Sequence, residues 1–140
     1  MTPVTYLFFN GNCAEAMRFY QSLLGGKLEI MTYGEQPEGE AVPTHADPNK
    51  VMHAALTLPR GGEIYASDDM SGAPYQGMHG FAVALNPKTA GEARKLFDPL
   101  AQNGQVHMPL GATFWSSAFA MFVDRFGTPW IISADPVQQG

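Results

Sequence analysis

Few side chains in this 140-residue sequence could carry chemistry, and their spacing limits what that chemistry is. His53 lies in an alternating stretch, Val51 to Leu58, on the same parity as Ala55 and Thr57. A lone imidazole among small residues can act as a general base or orient a ligand through a hydrogen bond; it can equally be satisfied by a backbone carbonyl. Asp68 closes the stretch Glu63 to Asp68, in parity with Ile64 and Ala66. Facing an apolar cavity, its carboxyl would titrate high and serve as a base or hold a cation, whereas at a strand end Asp more often forms a turn or cap. Asp69 follows directly, but neighbouring strand residues point opposite ways, so the two are no carboxylate dyad. Phe114 and Trp115 could stack on an aromatic or cationic ligand, or fill core or a dimer contact. Cys13 falls in the first turn of a predicted helix, where the dipole favours thiolate, although a buried inert thiol is the commoner outcome. Being the only cysteine, it excludes an intramolecular disulfide and a Cys-rich zinc site. His79, His107 and the methionines carry no usable signal.

The elements that position these residues follow from periodicity. Val4 to Phe9 is a strand apolar on both faces. Asn12 with Glu15 reads as a capping box opening a helix whose inner stripe is Cys13, Ala16, Met17, Tyr20, Leu23 and Leu24, closed by Gly25-Gly26. A strand from Lys27 to Tyr33 follows. Residues 34–49, with three prolines and Glu35, Glu38, Glu40 and His45, read as a long loop able to close over a cavity entrance. Val51 to Leu58 and Glu63 to Asp68 form a hairpin around Pro59-Arg60-Gly61-Gly62. The order then repeats: a strand from Met78 to Leu85, a helix capped by Asn86 with Pro87 first and Pro99 kinking or breaking its end, and strands at Gln105 to Leu110, Ala118 to Asp124 and Thr128 to Ala134, the last two joined by a tight turn at Arg125-Phe126-Gly127. Phe19 to Leu28 overlays Phe97 to Val106, and Ile64 to Asp68 overlays Ile131 to Asp135. The fold class expected is therefore α+β, two βαβββ modules at residues 1–72 and 73–140 in one structural domain, each helix covering one sheet face and the opposite faces enclosing a cleft.

Parity assigns the lining of that cleft. Gly80, Ala82 and Ala84 oppose the bulkier Phe81, Val83 and Leu85. With Ile64, Ala66 and Asp68, and with His53 and Ala55, they make a wall of small residues unlike a filled core. Phe9, Phe114, Trp115 and Met121 are the residues that could fill the space instead. Tyr65, alternating away from Ile64, is placed under a helix.

Net charge is −5 with no Lys/Arg cluster, which argues against nucleic acid and anionic membrane as partners. No apolar run approaches the roughly 20 residues of a membrane span. The opening Met1-Thr2-Pro3-Val4-Thr5 has no basic flank of a signal peptide, so a cytoplasmic protein is expected.

Tyr6-Leu7-Phe8-Phe9-Asn10-Gly11-Asn12-Cys13-Ala14-Glu15-Ala16 with Phe19-Tyr20, Met52-His53-Ala54, Ala66-Ser67-Asp68, Met108-Pro109-Leu110 with Thr113-Phe114-Trp115, and Asp124-Arg125-Phe126-Gly127 closed by Trp130 resemble the PhnB-like branch of the vicinal oxygen chelate (glyoxalase / bleomycin resistance / dioxygenase) superfamily. The resemblance spans nearly the whole chain and implies paired βαβββ modules around an open barrel, commonly in a homodimer. It also implies a divalent metal with four His/Glu-type ligands, from the first and fourth strands of each module. Anchored on Phe19-Tyr20, those positions fall on Thr5, Ile64, Gly80 and Ile131. Thr is a weak ligand and Ile and Gly are none, so the residues speak against a metal centre. A one-residue slip would bring in His79, whose parity with Phe81 and Val83 directs it to the helix side. The ubiquinone methyl transfer sometimes attached to this branch has no support either: the sequence holds no G-x-G-x-x-G or P-loop, and no nucleophile elbow.

The expectation is a metal-independent small-molecule binder of the sequestering or resistance type, without a cofactor. Its site comprises Thr5, Leu7, Phe9, His53, Ala55, Ile64, Ala66, Asp68, Gly80, Ala82, Phe114, Trp115, Met121 and Ile131. An enzyme of the same superfamily, using a metal or Asp68 or His53 as base, and a non-catalytic dimeric interaction module are the alternatives.

Overall fold

Glycines and buried carboxylates fix the turns, and parity fixes the faces. The computed structural model describes residues 1–35 and 47–136; Glu38, Glu40 and His45 lie outside them. The chain runs β1 (Thr5–Phe9), α1 (Cys13–Leu24), β2 (Lys27–Thr32), a 3-10 turn (Tyr33–Glu35), β3 (Val51–Thr57) and β4 (Glu63–Asp68). It continues with β5 (Val83–Leu85), α2 (Ala90–Ala101), β6 (Gln105–Gly111), β7 (Phe119–Val123) and β8 (Pro129–Ser133). One four-stranded sheet has the order β1-β4-β3-β2 and the other β5-β8-β7-β6, the same topology twice. In each, the first strand runs parallel to the last and the remaining pairs are antiparallel. This is the α+β, βαβββ repeat. Two compact units, Met1–Gly77 and Met78–Gly140, divide the chain.

The overlay of Phe19 to Leu28 on Phe97 to Val106 has a steric basis. A Cβ at Gly26, whose φ is +95°, would collide with the Thr57 carbonyl, and one at Gly104 would collide with the Val123 carbonyl. Both glycines let a helix exit pass hard against a neighbouring strand. The other overlay is out of step. Ile64 is buried under α1, whereas Ile131 lies half-buried on the face away from α2. A slip of one residue exchanges the faces of a strand, and Ile64 matches the parity of Trp130 and Ile132 instead.

Beneath α1, Leu7, Phe9, Ala54, Leu56, Ile64 and Ala66 are buried with Cys13, Ala16, Met17 and Tyr20. Beneath α2, Val83, Ala120, Phe122, Trp130 and Ile132 pack with Ala93 and Leu100, and the Phe97 ring meets Phe122 edge-on at 5.3 Å. The turn before β8 is tied by Asp124, which accepts from the Phe126 and Thr128 amides at 2.9 Å and from Trp130 Nε1 at 2.8 Å.

Both helix starts differ from expectation. Asn12 flanks α1 but makes no side-chain cap bond, and its Oδ1 is buried without a partner among the described residues. Asp68 takes over, accepting from the Cys13 amide. Helix α2 begins at Ala90 and not after Asn86, because Thr89 Oγ1 accepts from the Glu92 amide while Glu92 accepts from the Lys88 amide. Pro99 stays inside the helix, which ends shortly after at Ala101.

Candidate functional site

Asp68 decides which face of the first sheet is free. Its Oδ1 accepts from the Cys13 amide at 3.0 Å and its Oδ2 from the Val51 amide at 2.8 Å, both buried. The carboxylate therefore anchors the α1 N-terminus to the start of β3. Thr5, Leu7, Phe9, Ile64 and Ala66 share its side of the sheet: Leu7 pairs with Ala66, Thr5 with Ile64 and Phe9 with Asp68. All six expected site residues on β1 and β4 thus line the helix-covered core, and not an open face. Burial pushes the Cys13 thiol up to about 12, and the nearby Asp68 charge adds to the effect, so this cysteine is no nucleophile.

The face away from α1 holds side chains that parity assigns elsewhere. Tyr6, Phe8 and Tyr65 project there with the expected His53 and Ala55. Alternation alone puts Tyr65 under a helix; the Asp68 anchor reverses its strand. The Tyr6 and Phe8 rings lie 5.0 Å apart, and His53 stands 5.2 Å from Tyr65, edge to face. Tyr6 and Tyr65 are nearly perpendicular at 6.4 Å. Tyr6 Oη sits 3.2 Å from His53 Nδ1. When the phenol donates, the imidazole proton is on Nε2; when Nδ1 donates, Nε2 is left as an acceptor. Tyr65 Oη donates to Glu63 at 2.8 Å, and this hydrogen bond, followed by the carboxylate charge, raises the phenol's pKa. Tyr75 Oη donates to the Phe8 carbonyl at 2.7 Å, tying the segment after β4 to the edge strand β1. One imidazole and two phenols thus organise the aromatic surface of this unit.

In the second unit, Met121 and Ile131 pair on the face away from α2, together with Ala84 and Met108. Gly80 is exposed and Ala82 half-buried ahead of β5, which starts later than expected, at Val83. His79 is exposed and outside any strand, so its parity directs it nowhere. Phe114 is 96% exposed, and Trp115 stands edge-on to both Phe114 at 4.7 Å and Phe119 at 5.3 Å.

The superfamily-type metal centre does not fit these residues. Thr5 and Ile64 are cross-strand partners on the covered face, Gly80 has no side chain and Ile131 is hydrocarbon. The neighbouring pair on the free face is Tyr6 and Tyr65. Among the described residues, no three His, Cys, Asp or Glu side chains come together in reach of one ion.

Residues 3–132 match the family model of the glyoxalase/bleomycin resistance protein/dioxygenase superfamily. The chain belongs to this superfamily. Protein YjdN of Escherichia coli K12 is a relative 35% identical over 138 residues, covering 91% of each chain. The crystal structure of protein PA1353 from Pseudomonas aeruginosa is similar at 42% identity and a TM-score of 0.86, with 96% of this chain and 98% of that one covered. A Bacillus cereus PhnB protein, named as a putative 3-demethylubiquinone-9 3-methyltransferase, is 28% identical with a TM-score of 0.76 over 96% of this chain and 99% of that one. The PhnB-like resemblance within the glyoxalase superfamily rests on this neighbour. Sequence reasoning misses Tyr6, Tyr65 and Glu63, although one signal is present. If Asp68 caps the first helix, Ile64 and Ala66 must lie under it, and Tyr65 must face away.

Proposed function

We propose that the protein binds a small molecule without a glyoxalase-type metal centre, sequestering it on the helix-free face of the first sheet. The observation that carries this reading is the cluster of Tyr6, Phe8, Tyr65 and His53 on a sheet face without a helix cover. Rings of this kind supply stacking and apolar burial, with phenol and imidazole hydrogen bonds to set orientation. Within the second unit taken by itself, Met121, Ile131, Phe114 and Trp115 are candidates for ligand contact. We place the protein in the cytoplasm and as a homodimer. Among the described residues no helix is long and apolar enough to cross a membrane.

The test is a thermal-shift screen of small metabolites and antibiotics, with and without divalent metals. A ligand at 100 times its Kd adds about 2.7 kcal/mol to stability. The expected outcome is a shift with an aromatic compound that metals leave unchanged and that His53→Ala and Tyr6→Phe weaken. Shifts that need a metal would overturn the metal-free reading, and no shift with any compound would leave the interaction module.

An enzyme with His53 as general base is the second reading, favoured by the Tyr6 hydroxyl that holds the imidazole in place at 3.2 Å from Nδ1. Conversion of a bound compound, lost in His53→Ala with binding retained, would establish it. Methyl transfer, which the name of the Bacillus neighbour suggests for that protein, gains nothing from this chain's residues.

A further inference from the structure

The aromatic cluster continues into a recess with the opposite chemistry at its end. A cavity of about 420 Å³ lies beside Glu63 and Tyr65, walled by Thr2, Pro3, Val4 and Gly62. Glu63 is half-buried, and its Oε2 accepts from the Tyr65 phenol. Among the described residues no cation lies in ion-pair reach of this carboxylate; the ion pair of the same sheet joins Lys27 to Glu29, both exposed. A carboxylate partly withdrawn from water, with a hydrogen bond but no counter-charge, favours a cationic guest. The rings beside it reinforce that preference. Aromatic faces attract cations, and a phenol whose proton leans toward a carboxylate carries an electron-rich ring.

We propose, building on the small-molecule reading above, that this site takes an organic ammonium compound with a flat apolar body. The cationic head sits at Glu63 in the recess, and the body lies against the Tyr65 and His53 rings. Glu63 is then the specificity-determining residue, since neutral and anionic compounds of the same shape gain nothing from its charge.

Titration of the whole chain with benzyltrimethylammonium, benzyl alcohol and benzoate, followed by calorimetry, tests this. The expected result is saturable binding of the cation, about tenfold or more tighter than the alcohol, with no binding of benzoate. Glu63→Gln should weaken the cation about tenfold and leave the alcohol unchanged, while Glu29→Gln, which removes the same charge elsewhere on the sheet, should change neither. An unaltered melting temperature confirms that Glu63→Gln is folded; where it is not, Glu63→Asp repeats the test with the charge retained but withdrawn. Equal binding of the three probes, or a cation affinity indifferent to Glu63, overturns the ammonium proposal and leaves the small-molecule reading standing. Failure of all three probes together with an empty metabolite screen overturns both.

Discussion

Asp68 shows how one side chain sets the use of its neighbours. Its two oxygens each hold a backbone amide in the buried space between α1 and β3. Asp68→Asn keeps the shape but turns an NH₂ group toward one of those amides, leaving it without an acceptor. We expect a loss of about 1–3 kcal/mol in urea unfolding, with ligand binding retained by the folded fraction. Cys13 lies against the same carboxylate. Its folded pKa, raised to about 12 from an ordinary 9.0, means that burial favours the neutral thiol. The sign follows: this contribution to stability is complete below the unfolded value and is lost as pH rises from about 9 toward 12. Native protein at pH 8 should therefore resist iodoacetamide, with alkylation tracking unfolding in denaturant, and Cys13→Ser should flatten the alkaline loss. His53 is legible in the sequence because only one parity of its strand is small and polar. The role of Asp68 is legible only as one of two options, since nothing local says whether a strand-end carboxylate meets a cavity or a helix start.

At the level of elements, capping and parity account for most differences between expectation and structure. Thr89 and Glu92 together close the α2 N-terminus, the hydroxyl accepting from the Glu92 amide and the carboxylate from the Lys88 amide, a cap that the more conspicuous Asn86-Pro87 pair obscures. Thr89→Ala should cost about 1 kcal/mol, whereas Asn86→Ala and Asn12→Ala, which lack a cap bond to lose, should cost clearly less by chemical denaturation. Strand bounds are read nearly correctly, apart from the late start of β5 at Val83, because turns and glycines punctuate them strongly. Their faces are harder. In β5 the bulky Val83 and Leu85 contrast with Ala84, and the expected face is the observed one. In β1 both parities are apolar, so alternation cannot tell Leu7 and Phe9 from Tyr6 and Phe8. The deciding contact, from Asp68 to Cys13, spans 55 residues and leaves no local trace.

For the whole molecule, the repeat is the most readable property, because two helix exits need a glycine at the same place and two sheets share one topology. Superfamily membership follows from it and from the motifs that span the chain. Ligand chemistry does not, since positions that would hold an ion in a metal-dependent relative carry Thr, Ile and Gly here. Equilibrium dialysis against Zn, Ni, Fe or Mn should leave less than one ion per chain; stoichiometric retention would refute the proposed mechanism of binding. Light scattering should give twice the chain mass, and a single-chain mass would remove the homodimer. Strand β6 ends the second sheet with almost every residue exposed, its pairing with β7 broken by register shifts near Met108, and Pro109 within it. Proline offers no amide, and an interrupted ladder cannot guide a fresh strand along its length. This border thus discourages fibril growth, letting the chain leave a long apolar-flanked margin in water without becoming a seed for its own copies.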